Sequence, residues 1–419
     1  MVEKRRDDKG RVLRQGEFQR PDGSYEYKYT DLTGKRCSVY SWKLVETDKT
    51  PAGKRVKEAL RTLEKQIEKD VEDGIINSKI TLNDYFERYM KTRKDLRGST
   101  YANNLNAYDK HIRNTIGIVP ISNITYGMVK TLFIDLAYNK HLKINTINVI
   151  KGVINPIFKE AKKENLIKEN FVPDIFSDIR RRAVTPEKRK GLTTTETHAF
   201  LDCIKHNRAY KQYLPLITFL LGTGCRIGET LALRWQDCDF DDNLIYIKHN
   251  LSEYSIDGVS VKKIHDTKTD SGRRTIPMLK EVRDALCMQK KFCIENGFNT
   301  ETIDGYEGFV FRSLYRPKTL RRGTVFAVIK AITQIYNNNE KYNAKIENRK
   351  PILLPENISP HTFRHTFCTR FCENETNLKV IQEIMGHSDI SVTMNIYNEA
   401  TKEKKEEAFK NLENKMEIS

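Results

Sequence analysis

Within SPHTFRHTFCTRF, Ser359 to Phe371, two histidines and two arginines share what the pattern reads as one helix. Three arrangements fit those residue types: a packed helix with a polar edge, a metal site, or a group of donors aimed at an anion. His361 and His365 stand at i and i+4, the spacing of metal-binding helices, and Cys368 lies near. Against a metal, no carboxylate sits between the histidines, and the Arg364 guanidinium repels a dication. His365 reads as a supporting or core residue.

Other stretches offer single groups that are ambiguous alone. In GTGCRIGE, Arg226 follows Gly222 and Gly224 at the entry to a helix, where a guanidinium and open backbone amides can face one anion. Glycines before a helix are also plain turn formers, and the lysine and hydroxyl of a phosphate-binding loop are missing. TKTDSGRRTIP reads as a hairpin with Lys268 before an Asp-Ser-Gly turn, a place where exposed lysines are common. His387 follows Gly386 in MGHSD, and Tyr397 stands ten residues further on in MNIYNEA, where a lone tyrosine is most often packing. Taken together, two arginines, two histidines, a lysine and a tyrosine, with no Asp/Glu cluster suited to magnesium, fit phosphoryl transfer by a side-chain nucleophile. Fixed cations offset the charge on a five-coordinate phosphorus, and a phosphotyrosine conserves the energy of the cut bond for rejoining.

The elements that must hold these groups fall into successive segments. In residues 1–75, Tyr25, Tyr27 and Tyr29 alternate with polar residues, and PDG and LTGK separate three strands. A basic helix is expected after them from about Thr50 to Asp73. Such a sheet suits groove reading or an ordinary solvated surface. Residues 79–172 carry helical periodicity: Leu82, Tyr85, Phe86 and Tyr89 share a face capped by Thr81, and Ile147, Ile150, Val153, Ile154, Ile157 and Phe158 share another. Lys91, Arg93, Lys94 and Arg97 cluster closely enough to contact phosphates. Residues 173–190, with prolines and many basics, are expected to be a basic linker. From 191 to 400 helices mix with a short sheet, NNNEKYNAKIENRKPILLPEN is expected to be a surface loop, and 401–419 is a charged helical tail. The fold class is therefore multidomain and mainly α with small β parts.

Composition narrows the partners. In 419 residues, 73 Lys and Arg against 56 Asp and Glu leave a formal charge of +17, which favours a polyanion, most often nucleic acid. No apolar run is long enough for a membrane span and the amino terminus lacks a secretory pattern, so a cytoplasmic location without membrane is expected. The 8 cysteines contain no CxxC pair and read as reduced thiols.

In this order, the motifs resemble those of the tyrosine recombinase (phage integrase) family. The amino-terminal GKR helix with its strands, then KTDSGRRTIPM, HTFRHTFCT and IMGHSDISVTMNIY, look most like integrases of conjugative transposons. The resemblance implies a catalytic set of Arg226, Lys268, His361, Arg364, His387 and Tyr397, with Tyr397 forming a 3′-phosphotyrosyl bond and Lys268 protonating the leaving 5′-oxygen. Glu229 would orient Arg226. It further implies an arm-type DNA-binding domain, a helical core-binding domain and an α+β catalytic domain. The implied assembly is a homotetramer on double-stranded DNA at element ends and target, its carboxy-terminal tail docking on a neighbour. An excisionase or DNA-bending accessory protein is implied as partner, and no cofactor, metal or nucleotide. A type IB topoisomerase, which shares the chemistry, and a non-catalytic DNA-binding regulator remain the alternatives.

Overall fold

The structure, a computed structural model, describes residues 5–31, 34–72, 79–182, 190–256, 258–266 and 272–398. The chain divides into two compact units, residues 1–186 and 187–419.

The first unit opens with an antiparallel meander of β1 (Glu17–Gln19), β2 (Tyr25–Thr30) and β3 (Arg36–Ser41), in which Tyr25 faces Ser41 and Glu17 faces Tyr27. Its apolar core is small, with Tyr25, Leu44 and Leu60 at the centre. Charge pairing supplements it: Asp48 accepts from Lys9, Arg11 and the Leu44 amide, contacts that outweigh its burial and hold its pKa at about 2. The exposed side carries cations over aromatic rings, Arg5 at 4.4 Å and Lys28 at 5.0 Å from Phe18, and Arg20 at 5.2 Å from Tyr40.

Helix α1 spans Leu60–Glu72, so the expected start near Thr50 is corrected. Residues Pro51 to Lys54 instead close a turn through Gly53 at φ +75°, a conformation that a helix cannot include. The first amides of α1 are taken by the Lys43 and Leu44 carbonyls, which sets where the helix begins.

One buried carboxylate pair in this module has a measurable consequence. Glu64 on α1 is 2% exposed and lies beside Glu17, which Arg61 engages at 2.8 Å, while Arg14 stands 3.7 Å from Glu64. Burial first, and then Glu17, push Glu64 up to about 8, so it is protonated at neutral pH. Its folded-state pKa lies above its unfolded value, so the folded chain holds the extra proton and stability falls as pH rises between about 4.5 and 8. Glu64→Gln is expected to remove that fall. The check is hydrogen exchange of α1 amides in the full chain, comparing variant and parent at each pH.

Five helices follow: α2 (Leu82–Thr92), α3 (Gly98–His111), α4 (Tyr126–Ile134), α5 (Ile144–Lys163) and α6 (Val172–Arg182). Thr81 and Asp84 form a reciprocal capping box at the start of α2, and Leu82, Tyr85, Phe86 and Met90 are buried. The predicted stripe of α5, Ile147 to Phe158, is buried throughout. Helix α6 corrects the expected linker, because Val172, Ile175, Phe176 and Ile179 recur at helical spacing and enter the bundle core. Pro173 sits in the first turn, where it needs no amide partner and so does not break the helix. The remainder of that linker, 183–189, lies outside the described residues.

The second unit contains α7 (Thr194–His206), α8 (Leu214–Thr223), α9 (Ile227–Ala232), β4 (Cys238–Asp239), β5 (Leu244–Ile247), β6 (His249–Ile256), β7 (Val259–Asp266), β8 (Arg274–Pro277), α10 (Lys280–Asn296), α11 (Arg322–Ile346), α12 (Pro360–Asn374) and α13 (Leu378–Met385). A last described helix, α14, covers 390–398. The apolar helix α8 lies at the centre of the core, packing on α10 and α12. The expected hairpin around Lys268 is corrected: β7 pairs with β6, whereas β8 pairs with β5 in the sheet β4-β5-β8. Ile276 faces Ile245 in that register and both are buried, so apolar burial draws β8 away from the polar strand before it. The expected loop at 336–357 is also corrected, since α11 runs to Ile346. Asn337, although polar, is buried there and exchanges two hydrogen bonds with the backbone of Leu354, at 2.9 and 2.8 Å. The tail 401–419 lies outside the described residues, and so does Lys268.

Candidate active site

Arg226 is placed by a sharp reversal between two helices. Helix α8 ends on Gly224 at φ +62°, and a β-carbon there would meet the Phe367 ring of α12 at 2.4 Å. Glycine therefore satisfies both the left-handed turn and the close approach of α12. Arg226 then caps α9, and Glu229, one turn on, accepts from the Arg226 amide and from its Nη1, each at 2.8 Å.

Glu229 also receives Nη2 of Arg274 at 2.9 Å, so one buried carboxylate orients two guanidiniums. Burial, which alone would raise its pKa, is outweighed by Arg274 and Arg226, and Glu229 is held at about 2. Arg274 lies on β8 with its side chain 5% exposed, and it was not among the residues predicted for the site. The available signal was strand alternation: Arg274 stands two residues before the inward Ile276 and therefore points inward too.

Three guanidiniums converge on the carboxyl end of α13. Arg274 Nε donates to the Ile384 carbonyl at 2.7 Å, Arg364 Nη2 to that of Met385, and Arg226 Nη2 to that of Gly386 at 2.9 Å. These successive carbonyls are the ones a helix end leaves without internal partners, and they sit at the negative pole of the helix dipole. Arg364, on the buried side of α12, also donates to the Gly224 carbonyl at 2.7 Å and so ties α12 to the α8–α9 turn. Burial first, and then the neighbouring Arg226, bring its pKa down to about 10, leaving it charged at neutral pH. Arg226 is the accessible member: its side chain is 41% exposed, whereas Arg364 is 3% exposed.

His387 leaves α13 directly after these carbonyls and is buried. Burial, followed by Arg364, Arg226, Arg274 and His365, lowers its pKa to about 3, so the imidazole is neutral at physiological pH. Its Nδ1 lies 2.9 Å from the hydroxyl of Thr393 on α14. Tyr397, one turn further along α14, is half-buried and packs against Cys368, Cys372, Ile381 and Met385. Beside His387, a cleft of about 420 Å³ opens between β8 and α13, lined among others by Arg273, Arg274, Lys379 and Gln382.

Of the six predicted site residues, Arg226, Arg364 and His387 are thus brought together around one turn, and the helix of Tyr397 follows that turn directly. His361 is exposed on the first turn of α12, its ring 4.8 Å from that of His365 and edge to face with it. Among the predicted phosphate contacts of the first unit, Lys91, Lys94 and Arg97 are exposed, whereas Arg93 is engaged by Asp95 and the Tyr89 hydroxyl. The site offers an anion the exposed Arg226 guanidinium, with the buried Arg364 and a neutral imidazole close by and a phenol on the adjoining helix. That is a setting for attack on a phosphodiester.

Known proteins resemble this one along nearly the whole chain. Residues 190–404 match the phage integrase family, residues 81–132 the N-terminal SAM-like domain of phage integrases, and residues 1–71 the DNA-binding domain of the Tn916 integrase. The transposase from transposon Tn916 of Enterococcus faecalis is 34% identical over 410 residues, covering 96% of this chain and 95% of that protein. The transposase from transposon Tn1545 of Streptococcus pneumoniae shows the same identity and coverage. Among solved structures, the Tn1549 transposon integrase in complex with transposon right-end DNA superposes with a TM-score of 0.65 at 27% identity, over 78% of this chain and 99% of that one.

Proposed function

Since the chain belongs to the phage integrase family of tyrosine recombinases, we propose that it excises and integrates a conjugative transposon, using Arg226, Lys268, His361, Arg364, His387 and Tyr397 as its catalytic set. The Tyr397 phenol attacks the scissile phosphorus, the bond to the 5′-oxygen breaks, and a 3′-phosphotyrosyl ester remains. His361 helps to take the phenolic proton, and Lys268 supplies one to the departing 5′-oxygen. Arg226 and Arg364 hold the non-bridging oxygens, and His387 donates a further hydrogen bond to them. The reverse steps, with the 5′-hydroxyl of a partner strand as nucleophile, complete the exchange.

The observation that carries this reading is the convergence of Arg226, Arg364 and His387 on one turn, with Tyr397 on the helix that leaves it. One protomer has one Tyr397, and two recombining duplexes require four strand cleavages, so four copies act together. Residues 1–75 take arm sites, the bundle from 79 takes the core site with its exposed Lys91, Lys94 and Arg97, and residues from 191 carry the chemistry. The tail 401–419 docks on a neighbouring copy. Direction is set by an excisionase or a DNA-bending partner. The chain acts in the cytoplasm; among the described residues no helix is long and apolar enough to cross a membrane.

A supercoiled plasmid carrying both element ends tests the reading. The expected products are an excised circle and a rejoined backbone, formed also in the presence of a chelator. Relaxation without exchange would instead indicate a topoisomerase, and binding without any strand cleavage a regulator.

A further inference from the structure

We infer that Thr393 is a positioning residue for strand cleavage: its hydroxyl donates to Nδ1 of His387, keeps the ring proton on Nε2, and ties that donor to the helix carrying Tyr397. The inference rests on the catalytic role proposed for His387. Thr393 is fully buried, and its Oγ1 lies 2.9 Å from Nδ1 of a ring that is itself 7% exposed. Nε2 is bonded to no described residue and is the nitrogen left to meet a ligand.

The tautomer follows from the surroundings. Arg364, Arg226 and Arg274 disfavour a second ring proton, so the imidazole has one proton to place. Placed on Nδ1, it would leave a lone pair on Nε2 facing phosphate oxygens. Placed on Nε2, it makes His387 a donor, and Nδ1 then requires a donor of its own inside the protein. The Thr393 hydroxyl is that group, since a hydroxyl rotates to give or accept. The same logic orients metal-binding and general-base histidines through the partner of their other nitrogen.

Position on α14 adds the second part. Thr393 and Tyr397 are four residues apart and share one helix face. The amino end of that helix is fixed by Asp389, which accepts from the Ser391 amide at 2.8 Å. From α13, Gln382 Nε2 donates to the His387 backbone carbonyl at 3.0 Å. The backbone of His387 is thus tied to α13 and its ring to α14, and withdrawal of α14 would remove the proposed nucleophile and the tautomer lock in one movement.

The test uses the full chain labelled with ¹⁵N-histidine, His387→Ala assigning the resonance, together with adduct formation on a suicide substrate. The unmodified protein is expected to show the Nε2–H tautomer at His387. Thr393→Val is expected to shift that equilibrium toward Nδ1–H and to slow adduct formation about 10- to 100-fold, the scale of losing a hydrogen bond to a buried group. DNA binding should not change, and Thr393→Ser should restore both readouts. An Nδ1–H tautomer in the unmodified protein overturns the inference even if the valine variant does not fold. So does a valine variant that is slow with its tautomer unchanged, which would indicate packing alone. If Tyr397→Phe still forms the adduct, the proposed function has failed instead; if it forms none while Thr393→Val matches the parent, only this inference has.

Discussion

Tyr397→Phe is expected to bind element-end DNA as tightly as the unmodified chain and to form no covalent adduct with a suicide substrate. The ring packs against Cys368, Cys372, Ile381 and Met385, and phenylalanine keeps that apolar surface while removing the oxygen. The fold, the arginine cluster and the DNA-binding surfaces are then expected to stay as they are while the proposed nucleophile is lost. Adduct formation at the parental rate, or a trapped peptide that maps to another residue, would place the nucleophile elsewhere.

Arg226→Lys is expected to lower the cleavage rate about 100- to 1,000-fold, the cost of removing one preorganised donor from a developing oxyanion. An ammonium replaces the fork that now reaches Glu229 at 2.8 Å and the Gly386 carbonyl at 2.9 Å, and it cannot address two acceptors and a phosphate in one plane. Because the Arg226 side chain is 41% exposed, water can satisfy the abandoned carbonyl, and thermal stability should hardly move. Arg364→Lys provides the contrast. It strands the carbonyls of Gly224 and Met385 in the interior, at about 1–3 kcal/mol for each group left unpaired, so it should lower the melting temperature as well as the rate. Single-turnover cleavage beside a melting curve separates the two variants. Equal losses of DNA binding and cleavage in Arg226→Lys would contradict its assignment.

Much of the organisation is legible in the sequence itself. The stripe of α5, the Thr81 cap, the three strands of the first module and the glycine turn before Arg226 each follow from local rules, because periodicity and turn chemistry act within a few residues. The misreadings share one cause. Pro173 and a run of arginines hid the helix of residues 172–182, polar residues hid the last turns of α11, and a turn motif suggested a hairpin where β7 and β8 join different sheets. In each case burial against a distant segment prevailed over a local signal: the bundle core for α6, Leu354 for Asn337, and Ile245 for Ile276.

The site divides in the same way. Residue type and order along the chain, with the family resemblance, were enough to nominate Arg226, Lys268, His361, Arg364, His387 and Tyr397 as the proposed catalytic set, because phosphoryl transfer by a side-chain nucleophile needs fixed cations whatever the scaffold. Only the tertiary structure decided that Arg274, Arg364 and Arg226 would share the last carbonyls of α13, that Glu229 would orient two of them, and that Thr393 would face His387. Those contacts join segments up to 160 residues apart, and they arise where a helix end presents unpaired carbonyls to buried guanidiniums, a match that no local pattern encodes.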